Sequence, residues 1–331
     1  MTRGRRPMIR AYRMIEGRNE PLDGVPSVEA LRQACWIDLN APSTADRQLV
    51  EQTFGIELPT REEMREIELS SRVYREAGGA FMTATVLCRA DAPVPETMDI
   101  TFVLTGDTLI TLRFDDPKPF YGFHNQVTKQ GVRLDNGISS FLALLDAILD
   151  RIADVLEGAG RDVTAVAREL LIEGHQGHLN SDQQHLLLKR IARAHDLTAK
   201  ARESLVTLTR IIAFTGTVRE LANEKTLRAR LKTLSQDAQS LADYTAFLSS
   251  NIAFQLDALL GVVGIEQNNI VKIFSVAAVV FLPPTLVASI YGMNFHFMPE
   301  LDWPYGYPLA IALMIISVIV PFLYFKRRGW L

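Results

Sequence analysis

Ile273-Phe274-Ser275-Val276-Ala277-Ala278-Val279-Val280-Phe281-Leu282-Pro283-Pro284-Thr285-Leu286-Val287-Ala288-Ser289-Ile290 contains no Asp, Glu, Lys or Arg, and the uncharged run continues to Pro299, 27 residues in all. A second uncharged run of 23 residues, rich in Ile, Leu, Val and Phe, extends from Trp303 to Phe325 and stops at Lys326-Arg327-Arg328. An apolar helix needs about 20 residues to cross the hydrocarbon core of a bilayer. Each run is long enough, and a purely soluble protein is excluded. Pro283-Pro284 removes helix hydrogen bonds inside the first span and predicts a bend that neighbouring helices compensate.

Outside these runs the chain reads as globular. Its 331 residues are 48% hydrophobic and 22% charged with a net charge of −3, which allows one or two domains and excludes disorder. Two cysteines, Cys35 and Cys88, are too few for a disulfide scaffold and read as reduced core residues. Arg3, Arg5 and Arg6 are followed by no apolar stretch of the kind a signal peptide carries, so the first 272 residues are expected in the cytoplasm. Basic residues flank the spans at Lys272 and at Lys326 to Arg328. By the positive-inside rule both termini are then cytoplasmic and the loop from Asn294 to Gly306 faces outward.

The N-terminal part, to about Phe120, shows β-rich runs at Ala34 to Leu39, Ala80 to Cys88, Met98 to Leu104 and Thr108 to Phe114, with Gly106-Asp107 as a tight turn between the last two. Two helical stretches lie between the first and second strands, one opening near Ser43 and one near Thr60, where Thr60-Arg61-Glu62-Glu63 has capping-box spacing. This is a small α/β domain. Helical periodicity follows from Phe141 to Glu173, then a break at Gly174 to Gly177, then a helix from Asp182 toward Phe214. No Gly or Pro occurs from Thr217 through Leu260, 44 residues that predict one long stalk helix continuing into the first span. The expected organisation is an α/β domain over 1–137, a helical region and stalk over 138–272, a first span over 273–293, an outward loop over 294–306, a second span over 307–325 and a basic tail over 326–331.

One stripe on the stalk and first span joins Asp257, Gly261, Gly264, Asn268, Val271, Phe274, Ala278, Leu282 and Thr285. Its steps average about 3.5 residues, the seam of a left-handed helical bundle. A buried seam calls for Leu or Ile, whereas this one opens with an Asp, two glycines and an Asn. Pore lining and ordinary helix packing both fit that pattern.

After the first span the chain reads Tyr291-Gly292-Met293-Asn294-Phe295 and continues through Met298-Pro299-Glu300-Leu301 to Trp303, Gly306, Tyr307 and Pro308. This resembles the CorA family of magnesium channels, whose signature is the Gly-Met-Asn triplet after the first of two C-terminal spans. Ile265-Glu266-Gln267-Asn268, Lys272-Ile273-Phe274-Ser275 and Leu282-Pro283-Pro284-Thr285 extend the likeness over roughly the last 70 residues, with Glu173-Gly174-His175-Gln176-Gly177 and a looser Trp36-Ile37-Asp38-Leu39 upstream. The resemblance implies a funnel-shaped homopentamer in the inner membrane, its first spans lining a pore that carries Mg²⁺, with Co²⁺ and Ni²⁺ as further cargo. Five copies of Asn294 then ring the mouth with amide oxygens, and the Gly292 carbonyl adds acceptors for the waters of a hydrated ion. Gly292 supplies freedom for unusual backbone angles at the helix end, and Met293 packs the loop. Without the resemblance, Gly and Asn there read simply as a helix stop.

Glu300 in the outward loop concentrates cations near the mouth, whereas Asp302 reads as solvated loop. His296 stands where related sequences often carry an acid. Thr285 offers a hydroxyl to a passing ion, Leu282, Ala278, Phe274 and Val271 make a constriction, and Asn268 gives a second polar ring. The resemblance also implies closure by cytoplasmic Mg²⁺ bridging carboxylates between subunits, for which Asp257 aligns on the stalk and Asp91 is the partner chosen on the N-terminal domain. Mg²⁺ is therefore cargo and regulatory ligand, and no cofactor is expected.

No nucleotide motif is present, so ATP-driven pumping has no visible machinery. A divalent cation gains about 4.6 kcal/mol moving inward at 100 mV, so passive influx suffices. His175 and His178 beside two glycines read as a loop rather than as a zinc site, and arginines such as Arg228 and Arg230 read as a salted exterior rather than a nucleic-acid surface. The nearest alternative is a zinc transporter of the ZntB branch, which shares the architecture but typically carries Gly-Ile-Asn, so Met293 favours magnesium. A membrane-anchored coiled-coil scaffold is the alternative of a different class. No enzyme is expected, because neither span carries an acidic or nucleophilic constellation.

Overall fold

The computed structural model describes residues 8–22, 26–66, 68, 71–76, 78–129, 131–176, 180–218, 224–293, 298–299 and 303–329. Contacts group the chain into two compact units, Met1–Arg168 with His185–Leu256, and Glu169–Gln184 with Asp257–Leu331.

The first unit is built on a seven-stranded sheet in the order β2-β1-β3-β7-β6-β5-β4. The strands are β1 (Met8–Ile15), β2 (Arg18–Leu22), β3 (Trp36–Asn40), β4 (Val73–Glu76), β5 (Gly79–Cys88), β6 (Glu96–Thr105) and β7 (Thr108–Arg113). Only β3 and β7 pair in parallel, Asp38 opposite Thr111; every other neighbour is antiparallel. The β6–β7 hairpin turns on Gly106-Asp107 with Thr105 opposite Thr108, and Gly106 takes a positive φ of 51°. Four strands match the runs expected from sequence, while β1, β2 and β4 do not. β1 and β2 carry Arg10, Arg13 and Arg18, and Pro21 sits on the edge strand β2, so no alternating apolar pattern marks them.

The central strands are buried on both faces. Ile37 and Leu39 of β3, Val103 of β6 and Ile110 and Leu112 of β7 meet Leu31, Val50, Leu58 and Met64 in one core. Leu31 belongs to α1 (Val28–Arg32) and Val50 to α2 (Thr44–Phe54). On the other face Trp36 lies against Phe123 of α3 (Lys118–Thr128) at 5.0 Å, and Phe102 against Phe141 of α4 (Gly137–Gln176) at 5.4 Å. Helix α5 (Ser181–Thr215) is tied to β5 where Thr207 accepts from the Thr85 N–H and donates to its carbonyl, both at 3.1 Å. The N-terminal α/β fold is as expected. Both cysteines are free and buried, and burial pushes their thiols up, Cys88 to about 11.

Ser43 caps α2 with a complete capping box. Thr60 forms the same reciprocal pair, its N–H donating to Glu63 Oε2 at 2.7 Å and its Oγ1 accepting from the Glu63 N–H at 3.2 Å. The helix expected there is corrected to a single 3₁₀ turn, Glu63–Arg65, because Glu66 leaves the helical region at ψ 133°. A cap satisfies the first orphan N–H groups but does not by itself offset the cost of helix nucleation. The long stalk is also corrected at its start. Helix α6 spans Lys225–Tyr291 rather than beginning at Thr217, since Thr217 and Val218 close a turn onto Phe214 and Thr215.

In the second unit α6 runs through Pro283 and Pro284 without a break in helical assignment, and α7 spans Gly306–Arg327. These two helices are long and apolar enough to cross a membrane, and only 11% and 6% of their apolar windows are buried. A core helix of a soluble protein would be covered.

Candidate functional site

Helix α6 is buried along one side from Leu231 to Leu259 and is exposed over most of its circumference beyond Ile265. Leu231, Leu234, Ala238, Thr245, Leu248, Ile252 and Leu259 are buried, in steps of three, four and seven. The stripe drawn from sequence lies on the other side. Asp257, Gly261, Asn268, Val271, Phe274, Ala278, Leu282 and Thr285 are all exposed and Gly264 is half-buried, with Phe274 and Leu282 each 72% exposed. A Cβ added at Gly261 or Gly264 would meet nothing within 4 Å. Packing inside the chain therefore does not require those glycines.

Side-chain hydroxyls on the span are turned onto the helix itself. Thr285 Oγ1 donates to the Phe281 carbonyl at 2.7 Å, Ser289 Oγ to Thr285 at 2.8 Å and Ser275 Oγ to Val271 at 2.8 Å. With its proton committed, the Thr285 oxygen retains acceptor capacity for water. The prolines cannot donate to the carbonyls of Val279 and Val280, which leaves two more acceptors on the same stretch.

The helix ends where the Gly292 N–H donates to Ala288 O at 2.9 Å and the Met293 N–H to Ile290 O at 3.3 Å. The reason expected for Gly292 needs correction. Its φ is not in the left-handed region that five other glycines occupy. An added Cβ would lie 3.1 Å from the Ala288 carbonyl oxygen, a tight contact with the last turn of the helix itself. Met293 is exposed. Asn294, His296, Glu300 and Asp302 lie outside the described residues.

Comparison with known proteins places these features. The family of CorA-like Mg²⁺ transporter proteins matches residues 32–327. The chain belongs to the CorA-like Mg²⁺ transporter family. Magnesium transport protein CorA of Yersinia pseudotuberculosis is 34% identical over 324 residues, covering 98% of this chain and 100% of that protein. The solved CorA magnesium transporter from Methanocaldococcus jannaschii superposes with a TM-score of 0.78 at 19% identity, covering 98% of this chain and 99% of that chain. The cytoplasmic domain of ZntB from Vibrio parahaemolyticus is a more distant likeness, at a TM-score of 0.54 and 8% identity over 77% of this chain and 97% of its own, and shows the fold alone. Membership in the CorA-like family makes the chain a metal-ion transport protein of the membrane, with Mg²⁺ as its cargo, and indicates no catalytic activity.

In this CorA-like chain the two carboxylates assigned to regulation differ in setting. Asp257 is exposed and pairs with no other described residue. Asp91 is held by Lys118 and by Arg151 at 3.2 Å, and the Lys118 hydrogen bond keeps its carboxyl below the usual range despite partial desolvation. No group of three or more His, Cys, Asp or Glu that could hold a metal occurs among the described residues. His178 lies outside them, and His175 is described only as a backbone position in α4.

Sequence reasoning passed over the buried polar cluster at the centre of the first unit. Arg113 donates from Nε and Nη2 to Asp38, His124 Nε2 pairs with Asp38 Oδ2 at 2.8 Å, and the Tyr12 hydroxyl with His124 Nδ1 at 2.8 Å. Thr111 links Asp38 to the Trp36 indole. The signal available was the Asp inside the otherwise apolar Trp36-Ile37-Asp38-Leu39, since a charge on a buried strand needs a partner.

Proposed function

We propose that the chain assembles as a homopentamer in the inner membrane with both termini cytoplasmic, and that it is a channel carrying Mg²⁺ inward down the membrane potential, with Co²⁺ and Ni²⁺ as further cargo. The observation that carries this reading is the bare face of α6. It is polar from Asp257 to Asn268, apolar from Val271 to Leu282, and leads to Gly292-Met293, while the opposite side of the cytoplasmic part of the helix is buried. Five such faces turned to one axis make a water-filled path with an apolar narrowing.

Mg²⁺ holds its waters in a tight octahedron at about 2.0 to 2.1 Å and releases them reluctantly. A ring of Asn294 amide oxygens, with Gly292 carbonyls behind it, accepts hydrogen bonds from those waters. Neutral acceptors orient the shell without trapping the charge. Glu300 raises the local cation concentration. Inside the span Thr285 accepts from the ion's waters, Val271, Phe274, Ala278 and Leu282 exclude water when the bundle tightens, and Asn268 rewets the path below. Cytoplasmic Mg²⁺ bound between Asp257 of one copy and Asp91 of a neighbour holds the bundle tight, and its loss lets two carboxylates repel.

The test is cation influx into proteoliposomes holding a Mg²⁺- or Zn²⁺-sensitive dye under an inside-negative potential, comparing the wild type with Asn294→Ala. The expected result is potential-driven Mg²⁺ influx lost in the variant. Zn²⁺ influx driven by a pH gradient with little Mg²⁺ flux would instead favour the zinc-transporting branch, and an absence of any flux would favour a scaffold.

A further inference from the structure

The bare face of α6 does not stop at Asp257. Counting back by sevens from Gly261 reaches Phe254 and Phe247, which are 68% and 61% exposed. Counting back from Asp257 reaches Ser250 and Asp243, also exposed. The buried residues Thr245, Leu248 and Ile252 occupy the opposite side of the same turns. Seven residues make two turns of a supercoiled helix, so both phenylalanines share one line with Gly261 and Asn268.

Two large apolar rings exposed on a face otherwise made of Ser, Asp and Gly are the informative exception on a soluble surface. A seam made for helix packing would be apolar at its other positions too, and this one is not. Phe247 is also stacked on Tyr244, with ring centroids 6.3 Å apart, which restricts its rotamers.

We infer that Phe247 and Phe254 form a second, aromatic closure of the ion path in the cytoplasmic part of α6, separate from the apolar stretch between Val271 and Leu282. This rests on the pentameric-channel reading above, and its occupant is the same face of the other copies of this chain. Five Phe254 rings at one level, and five Phe247 rings two turns below, narrow a wet lumen to an apolar constriction that stops a hydrated divalent ion by dewetting. Ser250 between them, and Asp243 and Asp257 beyond them, keep the path wet on either side.

The experiment uses the full chain in proteoliposomes loaded with enough Mg²⁺ to close the wild type. In a background whose upper narrowing is made polar by Leu282→Ser, the further double change Phe247→Ser with Phe254→Ser is expected to raise residual Mg²⁺ flux about tenfold over that background, and the double Leu change to leave it as it was. A flux in the double Ser variant equal to that of its Leu282→Ser background overturns the inference. Phe254→Cys gives a readout that needs no flux. Under oxidation it is expected to form disulfides between copies, against a low background because Cys35 and Cys88 are buried. A variant that stays monomeric on a non-reducing gel overturns the convergence of this face, and decides the matter if the Ser variant does not assemble. Influx that depends on Asn294, combined with indifference to both phenylalanines, removes this closure and leaves the channel standing. Absence of potential-driven influx in the wild type removes both.

Discussion

Arg113 holds Asp38 through two bonds, Nε to Oδ1 at 2.9 Å and Nη2 to Oδ2 at 2.7 Å, with side chains 2% and 1% exposed on the two parallel strands of the sheet. The pair joins β3 to β7 where the sheet is covered on both sides. Breaking a buried pair leaves an uncompensated charge, so Arg113→Met is expected to cost about 3 to 5 kcal/mol. The measurement is thermal unfolding followed by near-ultraviolet circular dichroism. An unchanged midpoint would contradict the assignment.

The same pair predicts an acid limit. Burial alone raises the Asp38 carboxyl, but the Arg113 guanidinium and the His124 hydrogen bond outweigh it and hold the group well below the usual carboxylate range. Its unfolded value is about 3.9, so the stabilisation is fully present above about pH 4 and is lost as pH falls from there toward the native value. Asp38→Asn should remove that part of the acid dependence, which a comparison of melting midpoints between about pH 3 and pH 6 would register.

Gly137 opens α4 against β7. A Cβ there would lie 2.6 Å from the Thr108 carbonyl carbon and 2.8 Å from the Leu109 nitrogen, backbone atoms that cannot swing aside. Gly137→Ala is expected to destabilise the first unit by about 1 to 3 kcal/mol, the usual cost of overpacking. Gly261→Ala, with nothing within 4 Å of its Cβ and a place inside α6, serves as the contrasting substitution and should not lower the unfolding midpoint, since Ala is favoured over Gly by about 1 kcal/mol in a helix interior.

Gly292→Ala tests the proposed filter at the end of α6. The added methyl would press on the Ala288 carbonyl from 3.1 Å and shift the acceptors at the mouth by a few tenths of an ångström. Mg²⁺ influx should fall by about tenfold in proteoliposomes while assembly is retained, because filter acceptors work only at the right separation. Full flux would remove Gly292 from the filter.

Asp257→Asn should shift the internal Mg²⁺ concentration that halves influx by about fivefold or more, the low end of an ordinary coupling energy. Asp91 separates two roles. If it bridges the regulatory ion, Asp91→Asn moves the same concentration. If it serves only its exposed pairs with Lys118 and Arg151, the variant changes stability by no more than about 1 kcal/mol and leaves inhibition alone.

Patterns local in the chain were legible without coordinates. The absence of charge from Ile273 to Pro299 and from Trp303 to Phe325 determined two spans, because hydrocarbon tolerates neither charges nor unpaired backbone. The run free of Gly and Pro determined one helix continuous with the first span, and Gly-Met-Asn with its flanks determined the family. Tertiary structure decided what depends on partners far apart in sequence. Thr60 and Glu63 form the reciprocal pair that the spacing predicts, yet the backbone turns extended at Glu66 and the helix stops after one turn, with Met64 in the core. Gly292 reads as a residue of unusual backbone angles, yet its φ lies outside the left-handed region and its tight contact is with the Ala288 carbonyl. Asp38 finds Arg113 and His124 at separations of 75 and 86 residues. Which side of α6 stays bare between Leu231 and Ile252 follows from which side the rest of the first unit covers. Periodicity specifies that a helix has faces; burial, a sum over contacts from the whole chain, selects the one that the chain itself leaves uncovered.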